Sequence, residues 1–183
     1  MDYTALSKTL SYALRHNPSE FGVALDPEGW TSLSELLHAI SKKEAFAIVS
    51  ASDICRVVET SAKKRFEVDI PNDRIRAYYG HSTEDKVVKQ SATPPDILYH
   101  GTDSFAAQVI CKKGLESMNR QYAHLSTDVR TAILTGKRKS TEPVVLVINA
   151  KEAAVHGIKF YIGNQDVWLA DFIPPEYISL LKN

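Results

Sequence analysis

Apolar residues recur at helical spacing from Tyr3 onward, with Leu6, Leu10, Ala13 and Leu14 on one face. The pattern stops at Asn17-Pro18, because the residue before a proline resists the α region. Arg15 and His16 therefore fall in the last turn of a first helix, where two cations also suit the helix dipole, by about 0.3–1 kcal/mol. A short apolar piece, Val23 to Leu25, closes on the turn sequence Asp26-Pro27-Glu28-Gly29 ahead of Trp30. Ser32-x-x-Glu35 reads as a capping box opening a second helix, with Leu33, Leu36, Leu37 and Ile40 along one side. A third helix is predicted from about Ser52 through Val58, turning Ile54, Val57 and Val58 inward. Phe66, Val68 and Ile70 then alternate with Arg65, Glu67 and Asp69, Pro71-Asn72-Asp73 turns the chain, and Arg74 to Tyr79 alternates again. Three helices followed by a hairpin is the element order of a winged helix-turn-helix, which often binds nucleic acid without fixing function.

Glu84 to Pro95 lacks any apolar period and reads as a linker, dividing the chain into residues 1–83 and 96–183. The second half starts on the apolar run Leu98-Tyr99, which delivers His100, Gly101 and Thr102 at its end. A helix over Phe105–Ile110 is predicted to end at Gly114, past Lys112 and Lys113. Tyr122 to Ser126 reads as a strand, and Thr127-Asp128 as the cap of a helix through Leu134. Val144 to Ile148, five apolar residues in a row, predicts a central buried strand. A short helix over Ala150–His156 and paired strands at Lys159–Ile162 and Val167–Ala170 complete the expected elements, with Trp168 packing in the core. The fold class is α+β, with a mixed second half.

Composition narrows the chemistry. The 183 residues carry 22 basic and 22 acidic side chains, and neither half is basic, so no global field attracts a polyanion. A local cluster has to do so. Lys63, Lys64 and Arg65, with Arg74 and Arg76 across the hairpin, form the densest cationic group of the first half, although a charge run is also simply a solvated face. A guanidinium at Arg65 suits a phosphate, which it grips with two parallel hydrogen bonds. Cys55 and Cys111, one in each half, have no metal-ligand spacing and read as reduced core thiols of a cytoplasmic protein. No metal site is expected, no long apolar run suggests a membrane span, and the first residues do not read as a signal peptide.

His100-Gly101-Thr102 at the end of a strand suits a small polar ligand: two side chains that hydrogen-bond flank a stretch of bare backbone. The Gly-x-Gly-x-x-Gly pattern of a dinucleotide Rossmann fold is absent. His38 and His156, in helices without polar company, read as ordinary histidines.

Taken together, several short motifs resemble the RNA 2′-phosphotransferase family, in the bacterial branch of the tRNA 2′-phosphotransferases. They are Leu14-Arg15-His16-Asn17-Pro18, Asp26 to Trp30, Lys63 to Phe66, Gly80-His81-Ser82-Thr83, Leu98 to Thr102, Lys113-Gly114-Leu115, Arg120 ahead of His124-Leu125-Ser126, and Val167 to Ala170. The motifs run in order from about Leu6 to Ala170, nearly the whole chain, which is more specific than any one of them.

This resemblance implies a winged-helix RNA lobe followed by an ADP-ribosyltransferase-like lobe for NAD, with NAD consumed as co-substrate. The substrate would be a tRNA-like RNA carrying an internal 2′-phosphate, handled by a monomer. The phosphate attacks the anomeric carbon of NAD⁺ and expels nicotinamide. The neighbouring ribose 2″-hydroxyl then attacks phosphorus, releasing 2′-hydroxyl RNA and ADP-ribose 1″,2″-cyclic phosphate. The family's catalytic residues fall on Arg15, His16, Arg65 and Arg120, and the reaction site is expected in a cleft between the lobes. NAD contacts are expected from His100, Gly101, Thr102, His124, Ser126, Gly136 and Arg138, and RNA contacts from Lys63, Lys64, Arg76 and His81. An ADP-ribosyltransferase acting on terminal phosphates, and a non-enzymatic DNA binder that senses NAD, remain open at this point.

Two departures stand out. Many relatives place a histidine directly after the last arginine, where this chain has Gln121. Protein-modifying ADP-ribosyltransferases place a catalytic glutamate where Val167 and Trp168 stand. Chemistry explains the second: a phosphate carrying about −1.5 to −2 charges is already a nucleophile and would be repelled by a carboxylate.

Overall fold

Asp2 accepts hydrogen bonds from the Thr4 and Ala5 amides, capping α1 (Tyr3–Arg15), whose Leu6, Leu10, Ala13 and Leu14 are fully buried. The computed structural model describes residues 1–61 and 63–181 and is a mixed α/β structure. Contacts divide it into two compact units, Met1–Val88 and Lys89–Asn183.

In the first unit, α1 is followed by β1 (Trp30–Ser32), α2 (Leu33–Ser41), α3 (Ala51–Thr60), β2 (Phe66–Asp69) and β3 (Arg74–Ala77). The strands form an antiparallel sheet in the order β1-β3-β2. Strand β1 has no counterpart in the periodicity, because three residues are too few to alternate visibly. Leu33, Leu36, Ile40, Ile54, Val57, Phe66 and Ile75 join the α1 residues in one core, whereas Leu37 and Val58 only pack at its edge. Ile70, expected on the strand, is 50% exposed in the turn.

The helix starts differ from expectation in one respect. Ser32 accepts from the Glu35 amide and bonds the Asp73 carboxylate. The reciprocal capping box is found at α3, between Ser50 and Asp53. Those hydroxyl and amide donors hold the Asp53 carboxyl below its usual range, and Tyr3 adds a further bond.

The second unit contains β4 (Ile97–Thr102), α4 (Ser104–Lys113), β5 (Leu115–Glu116), β6 (Ala123–Ser126), α5 (Val129–Gly136), β7 (Val144–Asn149), α6 (Ala150–Val155), β8 (Phe160–Ile162), β9 (Val167–Ala170), β10 (Phe172–Ile173) and β11 (Ile178–Leu180). Six of the strands make an antiparallel sheet in the order β11-β7-β4-β6-β9-β8. The centre is thus β4 and β6, not Val144–Ile148, which lies one strand from the edge. Leu98, Leu125, Leu146, Ile148 and Phe160 fill the core, and Trp168 packs against it half-buried. Gly114 ends α4 at φ +93, a conformation that only glycine adopts readily.

The stretch expected to be a free linker is tied down. Val87 is 3% exposed and packs beside Gly29, and the Val88 amide donates to the Pro27 carbonyl. Farther on, the Ala92 amide donates to Phe160. Cys55 and Cys111 are free and half-buried rather than core.

Candidate functional site

Proline at position 18 ends α1 so that Arg15 is its last residue and His16 its C-cap. The Arg15 side chain is held on several sides. Its guanidinium carbon lies 5.7 Å from the Phe66 ring centre and 5.1 Å from that of Tyr79, and Nη2 donates to the Arg65 carbonyl at 3.4 Å. Gly80, at φ +90, passes so close that a Cβ there would meet Nη1 at 3.4 Å. The His16 ring shares a 2.8 Å hydrogen bond between Nδ1 and Ser82 Oγ, while the Ser82 amide donates to the Arg15 carbonyl at 2.8 Å.

Arg65 precedes β2 and is half-buried. It lines, with His16, a cavity of about 570 Å³ that runs beside α1. Two members of the predicted catalytic set thus share one cavity, and Arg15 is tied to the backbone of one and adjacent in sequence to the other.

Two of the five residues of the expected cationic cluster are paired with carboxylates. Arg74 pairs with Asp69 at 2.8 Å and Arg76 with Glu67 at 2.7 Å, directly across the hairpin. Both guanidiniums also stand over the Trp30 ring, at 4.4 and 4.3 Å. Lys64 Nζ bonds the carbonyls of Val58 and Glu59 at the end of α3, and Lys63 is half-buried. His81, expected to contact RNA, is only 2% exposed and lies beside Gly29. Its neighbour Ser82 is the exposed one. The residues against Arg15 and His16 that no motif singled out as site residues are Tyr79 and Ser82, which lie past the end of β3 where strand parity gives no signal.

In the second unit, the β4 motif is split by burial. His100 is half-buried, and its Nδ1 lies 2.9 Å from the His124 carbonyl. A carbonyl only accepts, so Nδ1 carries the proton and Nε2 keeps its lone pair. Burial holds the imidazole below the ordinary histidine range, and the charge of Lys139 pushes the same way against the raising effect of that hydrogen bond.

Gly101 has a reason other than a ligand. A Cβ there would overlap the Ala132 carbonyl oxygen of α5, and one on Gly136 would come within 2.7 Å of Pro143 and 3.0 Å of Gly101 itself. Both glycines let α5 lie on β4, and both are buried, so the bare backbone faces a helix instead of open space. Thr102 is 0% exposed and its hydroxyl has no hydrogen-bond partner among the described residues. Ser126 is 7% exposed, paired in register with Tyr99. Of the residues expected to bind a cofactor, these four are buried, whereas His100 and His124 are half-buried and Arg138 is exposed.

Arg120 follows a turn in which Met118 takes φ +53 and the Arg120 amide donates to Ser117. Its guanidinium is held below its ordinary pKa first by partial burial and then by the charge of Arg138. No group of His, Cys, Asp and Glu among the described residues is arranged to hold a metal, and no described helix is long and apolar enough to cross a membrane.

The chain matches the RNA 2′-phosphotransferase, Tpt1 / KptA family over residues 2–172. It is 48% identical over 178 residues to a probable RNA 2′-phosphotransferase of Acetivibrio thermocellus, covering 97% of each chain. A protein of the same description from Bacillus thuringiensis subsp. konkukian is 46% identical over 181 residues, covering 99% of this chain and 97% of the relative. One from Thermococcus kodakarensis is 41% identical over 175 residues, covering 96% of this chain and 95% of the relative. Matches of this length and identity make the chain a member of the RNA 2′-phosphotransferase family.

Proposed function

We propose that this protein is an NAD-dependent enzyme that moves an internal RNA 2′-phosphate to NAD, leaving 2′-hydroxyl RNA, nicotinamide and ADP-ribose 1″,2″-cyclic phosphate. The first unit serves as a winged-helix RNA lobe and the second as an ADP-ribosyltransferase-like NAD lobe, in a cytoplasmic monomer that needs no metal. The observation that carries the reading is the shared cavity of His16 and Arg65, with Arg15 fixed beside them.

Phosphoryl transfer is mainly an electrostatic problem, and arginines answer it by meeting the charge that builds on phosphorus. Arg15, Arg65 and Arg120 hold the phosphate. Loss of one such donor costs on the order of 3 kcal/mol, about a hundredfold in rate. His16 is the member able to move a proton, since an imidazole nitrogen can both donate and accept one. With Ser82 taking Nδ1, its other ring nitrogen Nε2 is the group that protonates the departing RNA 2′-oxygen.

NAD supplies an electrophilic anomeric carbon and a good leaving group. The neutral His100, with Nδ1 tied to His124, suits a ribose hydroxyl, which would donate to Nε2. Arg138 suits the adenosine-side phosphates. The test is to incubate RNA bearing one internal 2′-phosphate with the enzyme and a chelator, with and without NAD⁺. Loss of the phosphate only with NAD⁺ supports the reading, and loss that needs Mg²⁺ and ignores NAD⁺ marks an ordinary phosphatase.

A further inference from the structure

The cavity that holds His16 and Arg65 extends well beyond them. It follows α1 to Tyr3 at the far end, about 20 Å away at 1.5 Å rise per residue. Between the ends it is lined by the hydroxyls of Ser7, Ser11 and Ser61 and by the ammonium of Lys8. No carboxylate belongs to the lining, in a chain with as many acidic residues as basic ones, 22 of each.

Arg74 and Arg76 are matched by Asp69 and Glu67. The side chains of Lys8 and Arg65 make no hydrogen bond or ion pair among the described residues. Beside His16, the Tyr12 ring is 41% exposed with its centroid 6.4 Å from the imidazole, a face on which a base can stack. A row of hydroxyls, an unmatched ammonium and an exposed ring, continuous with the phosphate-binding end, fit a sugar-phosphate chain with its bases.

We propose that this groove seats the single-stranded RNA adjoining the 2′-phosphorylated nucleotide, with Lys8 on a backbone phosphate, the serine hydroxyls on phosphate and sugar oxygens, and Tyr12 under a base. This rests on the reading of the protein as an RNA 2′-phosphotransferase, and it adds a track for the flanking strand along α1.

The experiment measures binding of a fluorescent single-stranded RNA with one internal 2′-phosphate, without NAD⁺, over a range of salt concentrations. Lys8→Ala is expected to weaken binding and to lower the slope of log affinity against log salt by about 0.7, one phosphate contact on a single strand. Ser11→Glu, which brings a carboxylate into the groove, is expected to weaken binding at least tenfold. Lys42→Ala, at an exposed position past α2 and outside the groove, should leave the slope unchanged. An unchanged slope in Lys8→Ala, or an equal loss in Lys42→Ala, overturns the proposal. Because only binding is read, the outcomes separate cleanly. Phosphate transfer by a protein indifferent to Lys8 would keep the enzyme and lose the groove, whereas Lys8-dependent binding with no NAD-dependent transfer would do the reverse.

Discussion

Ser82 Oγ lies 2.8 Å from His16 Nδ1 while the Ser82 amide donates to the Arg15 carbonyl at the same distance, so one residue beyond the hairpin secures both members of the pair that ends α1. A helix terminus frays, and a bond from outside the helix helps to hold a histidine at its C-cap. The double link supplies that hold. Ser82→Ala removes the side-chain half and keeps the backbone half. The expected result is a two- to tenfold slower reaction, from a hydrogen bond of about 0.5–1.5 kcal/mol. Ser82→Thr should restore most of it. The readout is the pH–rate profile together with the rate: a residue that only supports the fold would leave the profile of the Ser82→Ala variant where it was.

The two chemical steps make different demands on Arg65 and His16. A phosphate dianion attacks without a base, but the second step must stabilise a crowded phosphorus centre and protonate a poor leaving group. Arg65→Ala and His16→Ala should therefore slow the second step more, and RNA bearing a 2′-phospho-ADP-ribose branch should accumulate. It would run more slowly than substrate on a denaturing gel. Unchanged starting RNA in both variants would remove the support for His16 as the acid.

Gly101 separates a packing role from a ligand role. Its substitution by alanine drives a methyl into the Ala132 carbonyl of α5, and backbone cannot step aside as a flexible side chain can. Gly101→Ala should lower folding stability by about 3 kcal/mol or more, seen in chemical denaturation. A variant of native stability with only a weaker NAD⁺ response would mean that the glycine serves the ligand.

His100 gives the second unit an acid sensitivity of predictable sign. Burial lowers its folded pKa below the ordinary value, so the unfolded chain takes up the proton first as pH falls. The neutral form's contribution is complete above about 6.5 and is lost as pH drops below that, toward the lowered folded value, with a slope of at most about 1.4 kcal/mol per pH unit. Denaturation of the wild type and His100→Gln across this range should show the wild type falling more steeply; parallel curves would contradict the assignment.

Much of this was open to reading in the sequence. The helices were, because Leu6, Leu10 and Leu14 or Leu33, Leu36 and Ile40 repeat with the helical period over several turns. The site was harder, because one residue type answers to several causes. A glycine after His100 looks the same whether a ligand or a helix needs the space, and only the course of α5 decides. Two cations of the cluster are paired for a reason the hairpin contains: once Asp69 faces Arg74, Glu67 must face Arg76. His81 and Ser82 follow the end of β3, where no alternation distinguishes the buried histidine from the exposed hydroxyl. The tie between Ser82 and His16 spans 66 positions and leaves no local trace.

The central claim is that the phosphorus itself leaves RNA for NAD, and the direct measurement is to follow it. RNA with a single radioactive 2′-phosphate, incubated with the protein and NAD⁺, should pass its label to ADP-ribose as a cyclic phosphate, in amounts equal to the nicotinamide released and with none transferred when NAD⁺ is withheld. Label that appears as inorganic phosphate, or that stays on the RNA while nicotinamide is released, would contradict the account.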